Sequence, residues 1–159
     1  MNGYCVVGSA NTGGGALRVS QTGSSQNCDG GGPSPTRYEA EKAAYSVGST
    51  VDSDHTGTGF VNTANAVGAY VEWTVNATTA GTADLVLAYA NGTPTARPMD
   101  IAANGVTVAA DSPFAGTGAW TSWRTVTLPV ALKAGANTVR ATATTAGGAP
   151  NLDYLDGPA

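Results

Sequence analysis

An all-β domain built as a sandwich is the fold this sequence predicts, and three observations predict it. Only 11% of the residues are charged while 42% are hydrophobic, so charged helix formers are scarce and residues suited to a pleated, half-buried surface are plentiful. From residue 37 onward, short alternating runs recur between turn signals, at the spacing of a sandwich. No stretch carries a sustained helical period with caps at its ends. The 159 residues suffice for one domain of ordinary size, with an appendage and a buried core.

Residues 1–29 are rich in Gly, Ser and Asn, with weakly apolar pieces at 4–7 and 16–19. They read either as the end of a preceding module or as a disulfide-tied leader. Cys5 and Cys28 are the two cysteines of the chain. Oxidised, they would close a loop in a region with little core of its own, which suits an oxidising compartment. The other reading leaves them as unpaired thiols. Residues 30–36, Gly-Gly-Gly-Pro-Ser-Pro-Thr, form a linker that is flexible in its glycines and stiffer in its prolines. A sandwich module is therefore expected over 37–159.

Its first strand is expected at 38–42, in Tyr38-Glu39-Ala40-Glu41-Lys42. Alternation would put Glu39 and Glu41 on one face, their Cα atoms roughly 7 Å apart. Two carboxylates so placed either splay into solvent or share a cation, and oxygen ligands are what Ca²⁺ selects. Further strands are expected at 44–51, 59–63, 69–75, 81–89, 99–103, 106–110, 123–132, 137–144 and 152–154. In 69–75, alternation gathers Val71, Trp73 and Val75 on one face. Asn104-Gly105 predicts a type I′ turn between its flanking strands, because both central residues of that turn need positive φ.

Seven basic residues are scattered singly, and the net charge is −4. That leaves no footprint for nucleic acid or an anionic membrane surface. No apolar run approaches the roughly 20 residues of a bilayer span. No charged-then-apolar leader opens the chain, so it reads as a piece of a longer protein. Nothing in it demands more than a monomer.

Function is expected in the loops 52–58, 91–98, 111–121 and 146–151, since binding groups concentrate on loops held by a rigid scaffold. The single histidine, His55, lies in no nucleophile elbow. The acids form no isolated pair flanking a cleft, so catalysis is not expected. Asp52-Ser53-Asp54 is either a solvated turn or a second site for a hard cation. It lacks the glycine and terminal glutamate of an EF-hand loop. Trp123 opens an alternating strand and is expected in the core. Trp120 follows the glycine-rich 114–119, where an indole either caps the core or stacks on the apolar face of a sugar. Arg97, before a proline in a long loop, is either a fork for a carboxylate or half of a surface ion pair. Asn91 and Asn151 add amide donors and acceptors, although a turn alone would explain Asn91-Gly92.

Several motifs together resemble a known group. They are Tyr-Glu-Ala-Glu at 38–41, Gly-Thr-Gly-Phe-Val at 57–61, Gly-Ala-Tyr-Val-Glu-Trp at 68–73 and Tyr-Ala-Asn-Gly at 89–92. Arg-Pro-Met at 97–99, Thr-Gly-Ala-Trp-Thr-Ser-Trp at 117–123 and Pro-Asn-Leu-Asp-Tyr-Leu at 150–155 complete the set. In this order they resemble a family 35 carbohydrate-binding module, related to family 6, over about residues 37–157. The resemblance implies a jelly-roll β-sandwich of two antiparallel sheets, attached to secreted polysaccharide-degrading enzymes. It implies a structural Ca²⁺ on Glu39, Glu41 and Asp153, completed by backbone oxygens near Thr58. It places sugar contacts at Trp120 and Asn151. Some family members bind uronic acids through a second Ca²⁺, and others bind mannan or galactan. Arg97 and Asn91, with Asp52 or Asp54 as second-metal ligands, point to the uronate group.

The expected function is therefore non-catalytic, calcium-dependent recognition of terminal uronic acids, glucuronate or unsaturated galacturonate. Such a module would hold an attached catalytic domain at its polysaccharide. The alternatives are a module for neutral galactan or mannan, a calcium-dependent hydrolase or lyase fragment, and a structural spacer.

Overall fold

The structure is a computed structural model that describes residues 34–46, 48–51, 56–57 and 59–158. The expected leader at 1–29 and its cysteines lie outside the described residues. So do most of the linker, Asp52, Asp54, His55 and Thr58.

Eleven strands form the domain: β1 (Thr36–Glu39), β2 (Ala44–Tyr45), β3 (Gly48–Val51), β4 (Phe60–Thr63), β5 (Tyr70–Ala77), β6 (Gly81–Ala90), β7 (Met99–Ala103), β8 (Val106–Ser112), β9 (Arg124–Leu132), β10 (Gly135–Ala143) and β11 (Asn151–Gly157). They pair antiparallel in two sheets, one ordered β3-β4-β11-β6-β9 with β1 also on β11, the other β2-β5-β10-β7-β8. The predicted all-β jelly-roll sandwich is what the described residues form.

Alternation decides which side chains fill the space between the sheets. Val71, Trp73 and Val75 of β5 point inward as expected, and meet Leu85, Leu87 and Tyr89 of β6. Met99 and Ile101, Val139 and Ala141, and Leu128 and Val130 add the remaining walls. Phe114, from the loop after β8, closes one end of this core with its ring edge-on to Tyr89 at 5.0 Å. Asn104 and Gly105 adopt φ of 50° and 81°, the positive values that the predicted turn requires.

Three expectations shift in the structure. The first strand stops at Glu39, and Ala40–Lys42 turn as a 3₁₀ helix with Ala40 fully buried. Glu39 thus ends the strand and Glu41 stands on the turn after it, so the two do not share the face of one strand. The expected strand 44–51 is divided, because β2 pairs with β5 in one sheet and β3 with β4 in the other. Trp123 does not join the core between the sheets. It packs edge-on to Phe60 at 5.2 Å, and Phe60 alternates with Val61, the residue of β4 that faces the core. Both rings therefore cover the outer side of the sheet.

A buried amide fixes the far end of the sandwich. Asn137 is 1% exposed. Its Nδ2 donates to the carbonyls of Lys133 at 2.8 Å and Gly135 at 2.9 Å, and its Oδ1 accepts from Lys133 N and Asn104 Nδ2, both at 2.9 Å. Removing the amide strands these backbone groups, so Asn137→Ala should cost about 1–3 kcal/mol. Leu87→Ala, which opens a cavity against Trp73's layer, should cost about 2–5 kcal/mol. Both are read as lower denaturation midpoints with an unchanged denaturant slope.

Candidate functional site

The loops that follow β6, β8 and β10 come together at one end of the sandwich, and backbone bonds interlock them. Arg97 N donates to Phe114 O at 3.1 Å, Thr117 N to Asn91 O at 2.8 Å, and Thr144 N to Pro98 O at 3.2 Å. The turn 64–68 joins from the side, with Gly68 N donating to Ala143 O at 2.8 Å. Two glycines are required by this closeness. A Cβ on Gly92 would lie 2.5 Å from Trp120 Cδ1, and one on Gly148, whose φ is +75°, would lie 2.6 Å from Ala64 O.

Trp120 therefore lies directly on Gly92, with 39% of its surface open to solvent. It does not fold back to cap the core. Arg97 places its guanidinium 5.0 Å from the Trp120 ring centre. Nη1 donates to Asn65 Oδ1 and to Ala149 O, each at 3.0 Å. Both acceptors are neutral, and no carboxylate of the described residues pairs with Arg97. Burial holds its pKa below the usual arginine value, because desolvation disfavours the charged form.

Asn151 opens β11 opposite Ala90. It is 6% exposed, and its carboxamide makes no hydrogen bond within the described protein. Asn91 is the opposite case, since it is fully buried and its amide is saturated. Nδ2 donates to Thr95 O at 2.9 Å and Phe114 O at 3.0 Å, while Oδ1 accepts from Thr93 N at 3.1 Å and Thr93 Oγ1 at 2.6 Å. Asn91 is thus placed to hold the loops that carry Arg97 and Trp120, with no polar atom to spare for a sugar. The structure brings Arg97, Trp120 and Asn151 into one loop cluster. Asn65 and Gly92 belong to it without a signal of their own in the sequence, where each is an ordinary turn residue.

A second, acidic place lies where β1 ends and β4 begins. β1 pairs with β11 from Glu39↔Tyr154 to Thr36↔Gly157, and β4 pairs with the same strand at Leu152↔Val61. Asp153 stands at the gap between them, and the register with β6 also shifts between Leu152 and Leu155. Asp153 is 1% exposed. Its Oδ2 accepts from Thr56 N at 3.0 Å and Thr56 Oγ1 at 2.8 Å, while its buried Oδ1 accepts nothing. Glu39 Oε2 is likewise buried and without a hydrogen bond. A Cβ on Gly57 would stand 2.6 Å from both Glu39 oxygens, so the glycine keeps this approach open. Burial first, then Glu41 and Asp153, raise the pKa of Glu39 above the usual carboxylate range. Among the described residues, no group of three or more His, Cys, Asp or Glu side chains is gathered so that it could hold a metal ion. The seam gathers buried carboxylate oxygens that accept no hydrogen bond, Glu39 Oε2 and Asp153 Oδ1, which is the chemistry a hard cation would complete.

The chain is similar to known proteins in sequence and in fold. The model of the family 6 carbohydrate-binding modules matches residues 39–156. The chain is 50% identical over 133 residues to an exo-β-D-glucosaminidase of Amycolatopsis orientalis, covering 80% of this chain and 13% of that protein. It is 42% identical over 125 residues to endo-1,4-β-xylanase B of Cellvibrio japonicus, covering 74% of this chain and 20% of that protein. The chain thus spans a fifth or less of these curated relatives. A family 35 module from Clostridium thermocellum superposes with a TM-score of 0.76 at 43% identity, covering 80% of this chain and all of that one. A family 35 module in complex with a disaccharide containing glucuronic acid superposes with a TM-score of 0.67 at 38% identity, covering 77% of this chain and 92% of the other. The chain therefore belongs to the carbohydrate-binding modules, matching the family 6 model in sequence and the family 35 modules in structure, and is a binding domain rather than a catalytic one.

Proposed function

We propose that this module recognises terminal uronic acids, glucuronate or unsaturated galacturonate, and anchors an attached carbohydrate-active enzyme to polysaccharides that carry them. One internal comparison carries the reading. Arg37 stacks over Tyr154 at 3.5 Å and donates from Nε and Nη2 to the two oxygens of Asp156, both at 2.8 Å. Arg140 stacks over Tyr70 at 4.0 Å and donates from Nε to Glu72 at 2.7 Å. Arg97 stacks over Trp120 in the same way, yet its Nε and Nη2 meet no carboxylate among the described residues. A sugar carboxylate would complete the third stack, with a pyranose face on the exposed indole and the Asn151 amide on a hydroxyl.

The glucuronic-acid-containing ligand of the similar family 35 module supports this reading. Local charge also answers how a chain of net charge −4 attracts an acid: the field at the loop cluster is set by Arg97 and not by the total. Calcium has its place at the acidic seam, on Glu39, Glu41 and Asp153. Bound there, the cation would neutralise buried acids and tie β1 to β11. Asp52 and Asp54 are proposed for a second ion at the sugar. The module acts outside the cell, where such polysaccharides are. No helix of the described residues is long and apolar enough to cross a membrane.

Calorimetric titration of glucuronate in the presence of Ca²⁺ tests the ligand. Trp120→Ala should weaken binding by about 2 kcal/mol or more, roughly thirtyfold, as expected of an aromatic anchor. Arg97→Ala should lose about 1.5–3 kcal/mol, the worth of charge-assisted hydrogen bonds. Heat with galacto- or manno-oligosaccharides and none with uronates would overturn the uronate reading while leaving the module intact.

Thermal melting tests the metal separately. A cation at a hundredfold excess over its dissociation constant adds about 2.7 kcal/mol to folding. Chelator should therefore lower the melting temperature by several degrees, and Asp153→Asn should abolish the difference. Identical melting with Ca²⁺ and with chelator would remove the structural ion.

A further inference from the structure

Arg97 is held from one side only, and the chemistry of its two holders decides what the other side can do. Nη1 spends both of its hydrogens on Asn65 Oδ1 and Ala149 O. The Nε and Nη2 edge, the one that Arg37 uses to fork Asp156, makes no hydrogen bond to the described residues. Asn65 can reach Arg97 because its turn is pressed against the loop before β11. A Cβ on Gly148 would stand 2.7 Å from Asn65 Cα, and the next residue, Ala149, supplies the second acceptor. That turn is braced by Ala66 N donating to Ala64 O at 2.9 Å and Ala69 N to Ala66 O at 3.3 Å.

An acceptor at position 65 could be neutral or charged. Asp has nearly the shape of Asn, would accept the same hydrogen bond, and would also neutralise the guanidinium. At Arg37 and Arg140 the partner is a carboxylate. At Arg97 the partners are an amide and a carbonyl. We propose that Asn65 is the specificity-determining partner of Arg97: a neutral acceptor that fixes the guanidinium over Trp120 while leaving its charge for the carboxylate of the ligand. This rests on the uronate reading and names the residue that enforces it.

The consequence is a switch of preference by one atom type. With Asp at 65, the cleft keeps its indole, its Asn151 amide and its guanidinium geometry, but the charge is cancelled inside the protein. The neutral sugar then loses nothing, and the uronate meets a new like charge.

The test compares the intact chain with Asn65→Asp and Asn65→Ala, titrated calorimetrically with glucuronate and with glucose at one concentration of Ca²⁺. The expected result is that Asn65→Asp weakens glucuronate by about tenfold or more, leaves glucose unchanged, and melts no lower than the parent. Asn65→Ala loosens Arg97 and weakens glucuronate less, with the preference for glucuronate over glucose retained. A purely structural role for Asn65 would move both sugars together in both variants, and that result overturns the proposal. Unchanged glucuronate binding in Asn65→Asp overturns it as well. Failure of the parent to bind glucuronate at all overturns the uronate reading itself, and the two failures are thereby distinguished.

Discussion

The position of β11 is the constraint on which the rest of this molecule depends. The last strand lies inside its sheet, flanked on one side by β6 and on the other by β1 and β4 placed end to end. Leu152 and Leu155 turn into the core, while Asn151 and Asp153 are buried outside it. One strand therefore carries a group of the loop cluster and a group of the acidic seam. Arg37 secures it from β1 by a bidentate pair with Asp156 that is also stacked on Tyr154. Stacking and planar forking restrict the guanidinium to one geometry, which makes this pair more than an ordinary surface ion pair.

The same arrangement sets a cost at the seam. Where β1 gives way to β4, Glu39 and Asp153 hold buried oxygens that accept no hydrogen bond, and mutual repulsion adds to desolvation at Glu39. Buried acids without partners are unfavourable unless a cation or proton offsets them. The sandwich thus places buried carboxylate oxygens without hydrogen bonds at the seam, and at its loop cluster a guanidinium held by neutral acceptors.

Much of the fold was legible in the sequence because strand alternation is a local property. Val71, Trp73 and Val75, or the Asn104-Gly105 turn, announce their places without knowledge of the rest. The motif order that resembles family 35 supplied the sheet architecture. The errors came where a tertiary contact overrode the local pattern. Glu39 and Glu41 read as neighbours on a strand face, but the chain must leave β11 at that point and turns as a 3₁₀ helix. Trp123 begins an alternating run, yet Phe60 offers it a partner on the outside of the sheet. Asn91 read as a donor for ligand because an Asn in a loop looks free. Only the structure shows that Thr93, Thr95 and Phe114 consume its amide. Asn65 gave no signal, since its meaning lies wholly in its distance from Arg97.

On the reading proposed above, the stack of Arg97 on Trp120 takes its carboxylate from a ligand. A crystal structure of the chain with bound glucuronate tests it most directly. The expected result is the sugar carboxylate on the Nε and Nη2 edge of Arg97, with the pyranose ring over Trp120. A sugar seated with its carboxylate turned away from Arg97, or bound at another part of the sandwich, would contradict it.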